Sequence, residues 1–450
     1  MGITSAFFTA TSGINATSRA LSEIGNNIAN AQTTGYKTRT VTFGDLFGAS
    51  IGGGGTTNSL VEGRGVRVLG IDPSFSQGSL QTTSNALDLA VDGDGFFQVV
   101  DANGDSFYTR AGQFGTDSSG NITNPAGLKL QGFSADANGV ITGSAGDLVL
   151  TTTQQVGTVT STVDMSGNLS AGAAIQTFDI DDPIGSSAFS TGFELFDSLG
   201  FGHGVTMYFT KTANNTWDYN LVGAESEFST TGTTGTPAGN LSADGNSRLV
   251  ATGTLGFTSG GLLDTEGTVT YYDNATPTGL VFTNGASPIL SAALAFDFGS
   301  SVTTDSGAGS DGMLQQGGTS VILTQSQNGF ANGTLAGTSI GEDGILLGRF
   351  SNGTTRNLGQ VLLTRFSNPD GLQPIGRNLF IQSADSGNPL DGAPSSGSFG
   401  KIFANTLEAS NVDLGDELVN MITMQRGFQA NARIITTTDT LLGELVNLSR

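Results

Sequence analysis

The residues able to do chemistry are few. The chain has one histidine and no cysteine, so thiolate metal sites, disulfides and cysteine nucleophiles are excluded. His203 sits between Gly202 and Gly204. With no second histidine it cannot anchor a familiar zinc site, and it reads as a polar turn residue. Asp101, Asn103 and Asp105 open like a calcium loop, but Ser106 and Gly112 stand where that loop needs Gly and Glu. A hairpin turn is the better reading. The four glycines from Gly52 are not followed by Lys-Ser/Thr, so they read as a loop rather than a phosphate cradle. No GxSxG, P-loop or HExxH is present, and the scattered carboxylates form no acid/base pair that spacing can defend. The expectation is a protein that is not an enzyme, with no catalytic residue, metal or cofactor. A carboxylate pair brought together by the fold, as in a glycosidase, is the enzymatic alternative.

Composition narrows the class further. Charged residues make up 12% and glycines number 68, while hydrophobic residues hold at 36%, which describes a folded Gly/Thr/Ser-rich chain. Residues 1–70 carry five basic and three acidic groups, and 401–450 carry four and six. Those ends cancel, leaving the full net charge of −22 on the interior. Residues 156–337 hold sixteen acidic and two basic groups, which argues against nucleic-acid binding. No apolar run is long enough to span a membrane, and the N-terminus shows no signal peptide. No membrane insertion is expected.

These sparse residues must be held by a particular scaffold. From Leu87 onward, short runs with period-2 alternation are split by DANGD, DSSGN and DANG, which are hairpin signals. FELFDSLGFGHGVTMYFTKTANNTWDYNLV reads as a hairpin pair turning near Asn214-Asn215, with Trp217 as its best core residue. Composition shifts near 155 and 337 mirror each other and suggest nesting. The expected domains are a terminal helical domain (1–30 plus 405–450), a connector (31–75) and a first β domain (76–155 plus 338–404). An outer inserted β domain (156–337) completes the set, with room for an extra subdomain in 225–335. The fold class is therefore multidomain: N- and C-terminal α-helices forming a coiled-coil domain, with nested mainly-β domains inserted between them.

The helices are predicted from seams. Leu414, Leu418, Met421, Gln425, Phe428, Ala432, Ile435, Asp439, Leu442 and Val446 alternate spacings of four and three, as heptads do. Ile3, Phe7, Ala10, Ile14, Thr17, Leu21, Ile24 and Ile28 repeat that alternation at the other end. A narrow seam cannot bury itself, so each helix needs a partner. Gln425 and Asp439 suit a register-fixing role, and Gly427 and Gly443 suit close approach in a crowded wall of many subunits.

The same residues carry a resemblance. SGINATSRALSEIGNNIANAQTTGYK, from Ser12 to Lys37, resembles the N-terminal signature of bacterial flagellar rod and hook axial subunits. Its most specific positions are Asn26, Asn27, Asn30, Gly35 and Tyr36. LEASNVDLGDELVNMITMQRGFQANARII, from Leu407 to Ile435, resembles the matching C-terminal signature, including Asn411, Asp413, Arg426 and Asn431. LDLAVDGDGFFQV and YTRAGQFGTDSSGNITNPAGLKLQG are similar to the family's first β domain. LFDSLGFGHGVTMYFTKTANNTWDYNL resembles the outer-domain motif of its hook branch, with Phe201 departing from the usual polar residue.

The resemblance implies a structural subunit that polymerises into the flagellar hook, a curved, flexible tubular universal joint transmitting torque from rod to filament. It implies as partners further copies of the chain, the distal rod, the hook cap, the hook–filament junction protein and the flagellar type III export apparatus. The expected location is the basal body and hook, outside the cell, reached without a cleaved signal peptide. Phe43 to Phe47, FGDLF, resembles an FxxxF export-gate element; a plain connector with buried aromatics is the alternative. A distal rod subunit of the same family is the second reading. A secreted β-rich adhesin or surface-layer protein with a coiled-coil anchor is the third.

Overall fold

The computed structural model describes residues 3–50, 61–136, 138–150, 154–228, 240–272, 279–287, 289–290 and 294–448. The tetraglycine run lies outside them, as do the side chains of Ile3, Phe47 and Val446. Two terminal helices enclose a mainly-β interior: α1 (Ile3–Ala29) and α2 (Leu414–Leu448). Asp413 starts α2, its Oδ1 accepting from Gly415 N at 2.7 Å and from Asp416 N at 3.3 Å.

The chain divides into two compact units. The first comprises Met1–Thr152, Gly337–Arg349 and Thr355–Arg450; the second comprises Thr153–Ala336 and Phe350–Thr354. In the first unit, the stretch expected to be a connector contains a long antiparallel ribbon, β1 (Arg39–Ser50) paired with β2 (Val61–Pro73). The reason is local. RTVTF and VRVLGI alternate β-branched or aliphatic residues with polar ones or glycine, so each strand completes the other's ladder. The boundary expected at 405 also moves. Lys401–Ala404 and Thr406–Glu408 are strands, paired with Leu89–Asp92 and Leu80–Thr82, and the helix begins only at Leu414.

The main sheet of this unit is built around Lys129–Ala135, which pairs with Phe96–Val100, Ile141–Asp147 and Thr355–Val361. Phe96–Val100 extends the sheet through Ser106–Thr109 to Leu379–Ile381. Its core includes Leu89, Phe97, Leu130, Leu346, Leu363 and Ile402. Asp101 tightens one hairpin as an Asx turn, its Oδ1 accepting from Asn103 N and Asp105 N at 2.9 Å each.

The second unit contains an antiparallel sheet running Phe189–Phe196, Gly202–Ala213, Thr216–Ala224, Ser247–Phe257 and Leu263–Glu266. A smaller sheet, centred on Thr162–Ser170, contributes Val163, Met165 and Leu169 to the same core. Trp217 is fully buried there, and its indole N–H donates to Gln315 Oε1 at 2.8 Å, so the one polar atom of the ring is satisfied. Asn215 turns the preceding hairpin with φ 61°, a conformation asparagine tolerates.

His203 corrects its expectation as a polar turn residue. It lies buried in a strand, stacked on Phe282 with ring centroids 4.1 Å apart. Its ring nitrogens face Asp197 Oδ2 at 3.1 Å and Glu227 Oε2 at 3.2 Å. Flanking glycines suggested a loop, but here they sit on a strand whose partner leaves room for the ring.

Candidate functional site: the terminal helices and their polar clasp

The two helices pack against each other antiparallel. A Cβ on Gly13 would lie 2.6 Å from Asn431 Nδ2, and one on Gly427 would lie 3.7 Å from Thr17. Asn27 Nδ2 donates to Glu417 Oε1 at 3.1 Å, so rising positions on α1 meet falling positions on α2. The buried residues of α1 are Ala10, Gly13, Ala16, Ala20, Ile24 and Asn27. Small side chains allow the backbones to approach, and Gly13 is required where the Asn431 amide stands over the helix. On α2 the corresponding face carries Glu417, Met421, Met424, Gly427, Asn431, Ile435 and Thr438, all buried or half-buried.

This face differs from the expected seams. Ala10, Ile24, Met421 and Ile435 belong to both, and Ile14, Thr17, Leu21, Ile28, Ala432 and Leu442 are half-buried at its border. Phe7, Leu414, Leu418, Gln425 and Phe428 are exposed, Leu418 at 51% and Phe428 at 37%. At 100° per residue the seam runs roughly a quarter-turn from the packed face on both helices. A single chain therefore covers a face mixing small, polar and a few larger apolar residues, and leaves Phe7, Leu414, Leu418 and Phe428 beside it open. Val419, Ile422, Ile434 and Leu441 of α2 are exposed too. Among the described residues, no other part of the chain lies within 4 Å of a Cβ placed on Gly443.

Beside the helices, the two signature segments close on one another through buried polar groups. Asn27 Oδ1 accepts from the Tyr36 hydroxyl and from Arg39 N, both at 3.0 Å, while its amide also donates to Arg39 O at 2.9 Å. Asn411 Oδ1 accepts from Thr38 N at 2.7 Å, and Asn411 Nδ2 donates to Ser74 O at 2.9 Å. Gly35 turns with φ 68°, and a Cβ there would meet Ala111 N at 2.5 Å, so no other residue fits. Asn30 and Asn26 bond to each other at the end of α1. Arg426 is exposed on the outer side of α2. On the ribbon, Phe43 is exposed rather than buried, which removes the buried-aromatic alternative for that residue.

Sequence reasoning missed the centre of this clasp. Glu408, fully buried, accepts from Lys37 Nζ at 2.7 Å and from Gly78 N at 2.9 Å, and its other oxygen lies 3.6 Å from Arg110 Nη1. Burial pushes the Lys37 ammonium below the usual lysine range, with Glu408 opposing that shift, and burial likewise lowers Arg110. Burial raises the Tyr36 phenol, against the pull of Arg39. The only sequence signal was a charge-poor chain placing a lone Glu just before a helix signature. The arrangement offers no nucleophile or open acid/base pair. It fixes the entry and exit of two helices.

Family-level comparison matches the chain in four places. Residues 7–37 match the flagella basal body rod protein family, 90–171 the flagellar hook protein FlgE/F/G D1 domain, 168–330 the flagellar basal body protein FlaE D2 domain, and 404–448 the flagellar basal body rod FlgEFG protein C-terminal family. Among individual relatives, the flagellar hook protein FlgE of Escherichia coli (strain K12) is 34% identical over 98% of this chain and 100% of its own length. That of Salmonella typhimurium is 35% identical over 98% and 99%, and that of Treponema pallidum 33% over 98% and 99%.

Proposed function

Since the chain belongs to the flagellar hook protein family, and is thus a structural subunit that self-polymerises in the hook, we propose how its parts divide that task. The terminal helices form the inner wall of a helical tube, each copy's open apolar seam covered by helices of its neighbours in coiled-coil fashion. The observation that carries this is the packing of α1 on α2 through a small, polar face while Phe7, Leu414, Leu418 and Phe428 remain exposed. A repeated contact between unlike faces that does not close on itself yields a filament rather than a ring. Burying each Leu or Phe removes it from water at about 1.5–3 kcal/mol, a gain no isolated chain can collect.

The domain roles follow from the same premise. The acidic stretch 156–337 faces outward, where like charge disfavours tight packing and leaves contacts able to slide as the hook bends. The polymer works as a universal joint carrying torque from rod to filament. Its further partners are the distal rod below, the hook cap and hook–filament junction protein beyond, and the type III export apparatus as the route out of the cell. In that export step Phe43 and Phe47 serve as the gate element, with Phe43 already accessible on the ribbon.

Electron microscopy of the purified full chain under polymerising conditions tests the reading. The expected product is a tube no wider than about 20 nm, from helix and domain lengths. A chain that remains monomeric across concentration and precipitant would overturn it. Deletion of 156–337 should leave a tube of altered curvature or stiffness.

A further inference from the structure

Asn26, Asn30, Tyr36 and Arg39 line one side of a cleft of about 270 Å3 beside the end of α1. The turn Gly376, Arg377 and Asn378, with Leu379 and Phe380, lines the other side. Two observations mark the cleft as more than a surface crease. First, Arg377 and Asn378 hold φ of 55° and 57°, left-handed conformations that an arginine rarely adopts. They are held there from both sides, because Asn378 Nδ2 donates to Thr34 O at 2.8 Å and Asn378 O accepts from Thr109 Oγ1 at 2.8 Å. Arg377 is exposed and lines the cleft. Second, neither Arg39 nor Arg377 makes an ion pair among the described residues. In the β regions Lys129, Arg248, Arg365 and Lys401 each find a carboxylate, on Asp147, Glu225, Asp94 and Glu342. Two guanidiniums without an ion pair among the described residues, beside Asn26 and Asn30, give the concave site cationic donors for an anionic group.

We propose that this cleft receives a carboxylate side chain from a surface turn of a second copy of the chain. Charge complementarity selects that occupant. The chain carries −22 overall, and some of its acids stand in exposed Asx turns, such as those of Asp117 and Asp136. A neighbour in the polymer therefore presents acids at high local concentration, and a forked guanidinium pair suits a carboxylate geometrically. The contact rests on the polymer reading above and adds a register-setting link outside the helical seam. It also gives Asn26 and Asn30 a use beyond their mutual hydrogen bond.

The test uses the full chain carrying Arg39→Gln and Arg377→Asn together. Asparagine keeps the left-handed turn while removing the charge. The variant should melt like the wild type as a monomer. It should polymerise only at a concentration roughly fivefold or more above the wild type, the loss of two partly exposed charge contacts. Wild-type polymerisation should weaken as NaCl rises from about 50 to about 500 mM, and the variant's should not. Arg377→Lys in a mixture of isotope-labelled and unlabelled chains, treated with a carbodiimide, should give a zero-length link between Lys at 377 and an Asp or Glu of a different copy. Wild-type concentration and salt dependence in the double variant, or links confined to one copy, would each overturn the proposal. A wild-type chain that never polymerises would instead sink the polymer reading, and this contact with it.

Discussion

The terminal helices and the second β unit solve the burial problem in opposite ways. In the β unit Trp217, Phe209, Met207 and Leu195 are all fully enclosed by the chain itself. In the helices Phe7 is 39% exposed and Leu418 51%, although the two helices lie against each other. One region encloses its large side chains; the other leaves several of them outside a face where Ala10, Gly13, Ala16, Ala20 and Gly427 allow close approach. The difference teaches that the helices pair within the chain without using Phe7, Leu414, Leu418 or Phe428, the residues proposed to meet neighbouring copies. On the proposed reading, a subunit holds its helices in register before it meets a neighbour and keeps those exposed residues free for it.

The sharpest way to break this comparison is charge on the open stripe. Leu418→Asp or Phe428→Asp should abolish tube formation by electron microscopy, while monomer melting moves by no more than about 0.5 kcal/mol, as for exposed sites generally. Equal damage to both would show that the stripe is used within the chain. Substitutions in the closed regions should do the reverse. Trp217→Ala should cost about 3–5 kcal/mol in denaturant unfolding of the second unit by emptying its core. Glu408→Ala should cost a similar amount, about 3–5 kcal/mol, because Lys37 and Arg110 are then buried without a counter-charge. Glu408→Gln should recover part of that by keeping the acceptor for Gly78 N.

Gly13→Val probes the close approach more gently. The added atoms must displace the Asn431 amide, so helix packing should weaken by about 1–3 kcal/mol, read as lost α-helical signal early in thermal melting. The smallest effect is in pH. Burial, with Asp305 and Asp297 adding to it, pushes the Glu266 carboxyl up to about 7. An acid raised in the folded state favours the protonated fold, so its contribution is intact below the ordinary glutamate range and is lost as pH climbs through about 7. Thermal melting of the second unit should therefore fall slightly between about pH 5 and pH 8, and Glu266→Gln should flatten that slope.

Much of the architecture was legible in advance because it rests on local periodicity. The heptad spacing from Leu414 to Val446 and from Ile3 to Ile28 needs only a helix to explain it, and DANGD, DSSGN and ANNT need only a turn. The ribbon of β1 and β2 was not read from the sequence: RTVTF and VRVLGI alternate only over short stretches, and each needs the other to complete a ladder. The clasp was illegible. Glu408, Lys37 and Arg110 are separated by long stretches of sequence, and nothing local distinguishes a buried ion cluster from solvated charges.

The sequence by itself determined the helix–β–helix plan, the family signatures at both ends and the existence of an apolar stripe on each helix, because these follow from residue spacing and type. Only the tertiary structure decided which stripe meets inside the chain. Helix axes come closest where side chains are smallest, so Gly13 under Asn431 and Gly427 beside Thr17 set that contact, and the bulky Phe7, Leu418 and Phe428 lie outside it. Period alone marks where apolar residues recur, and cannot weigh how near two backbones are able to come.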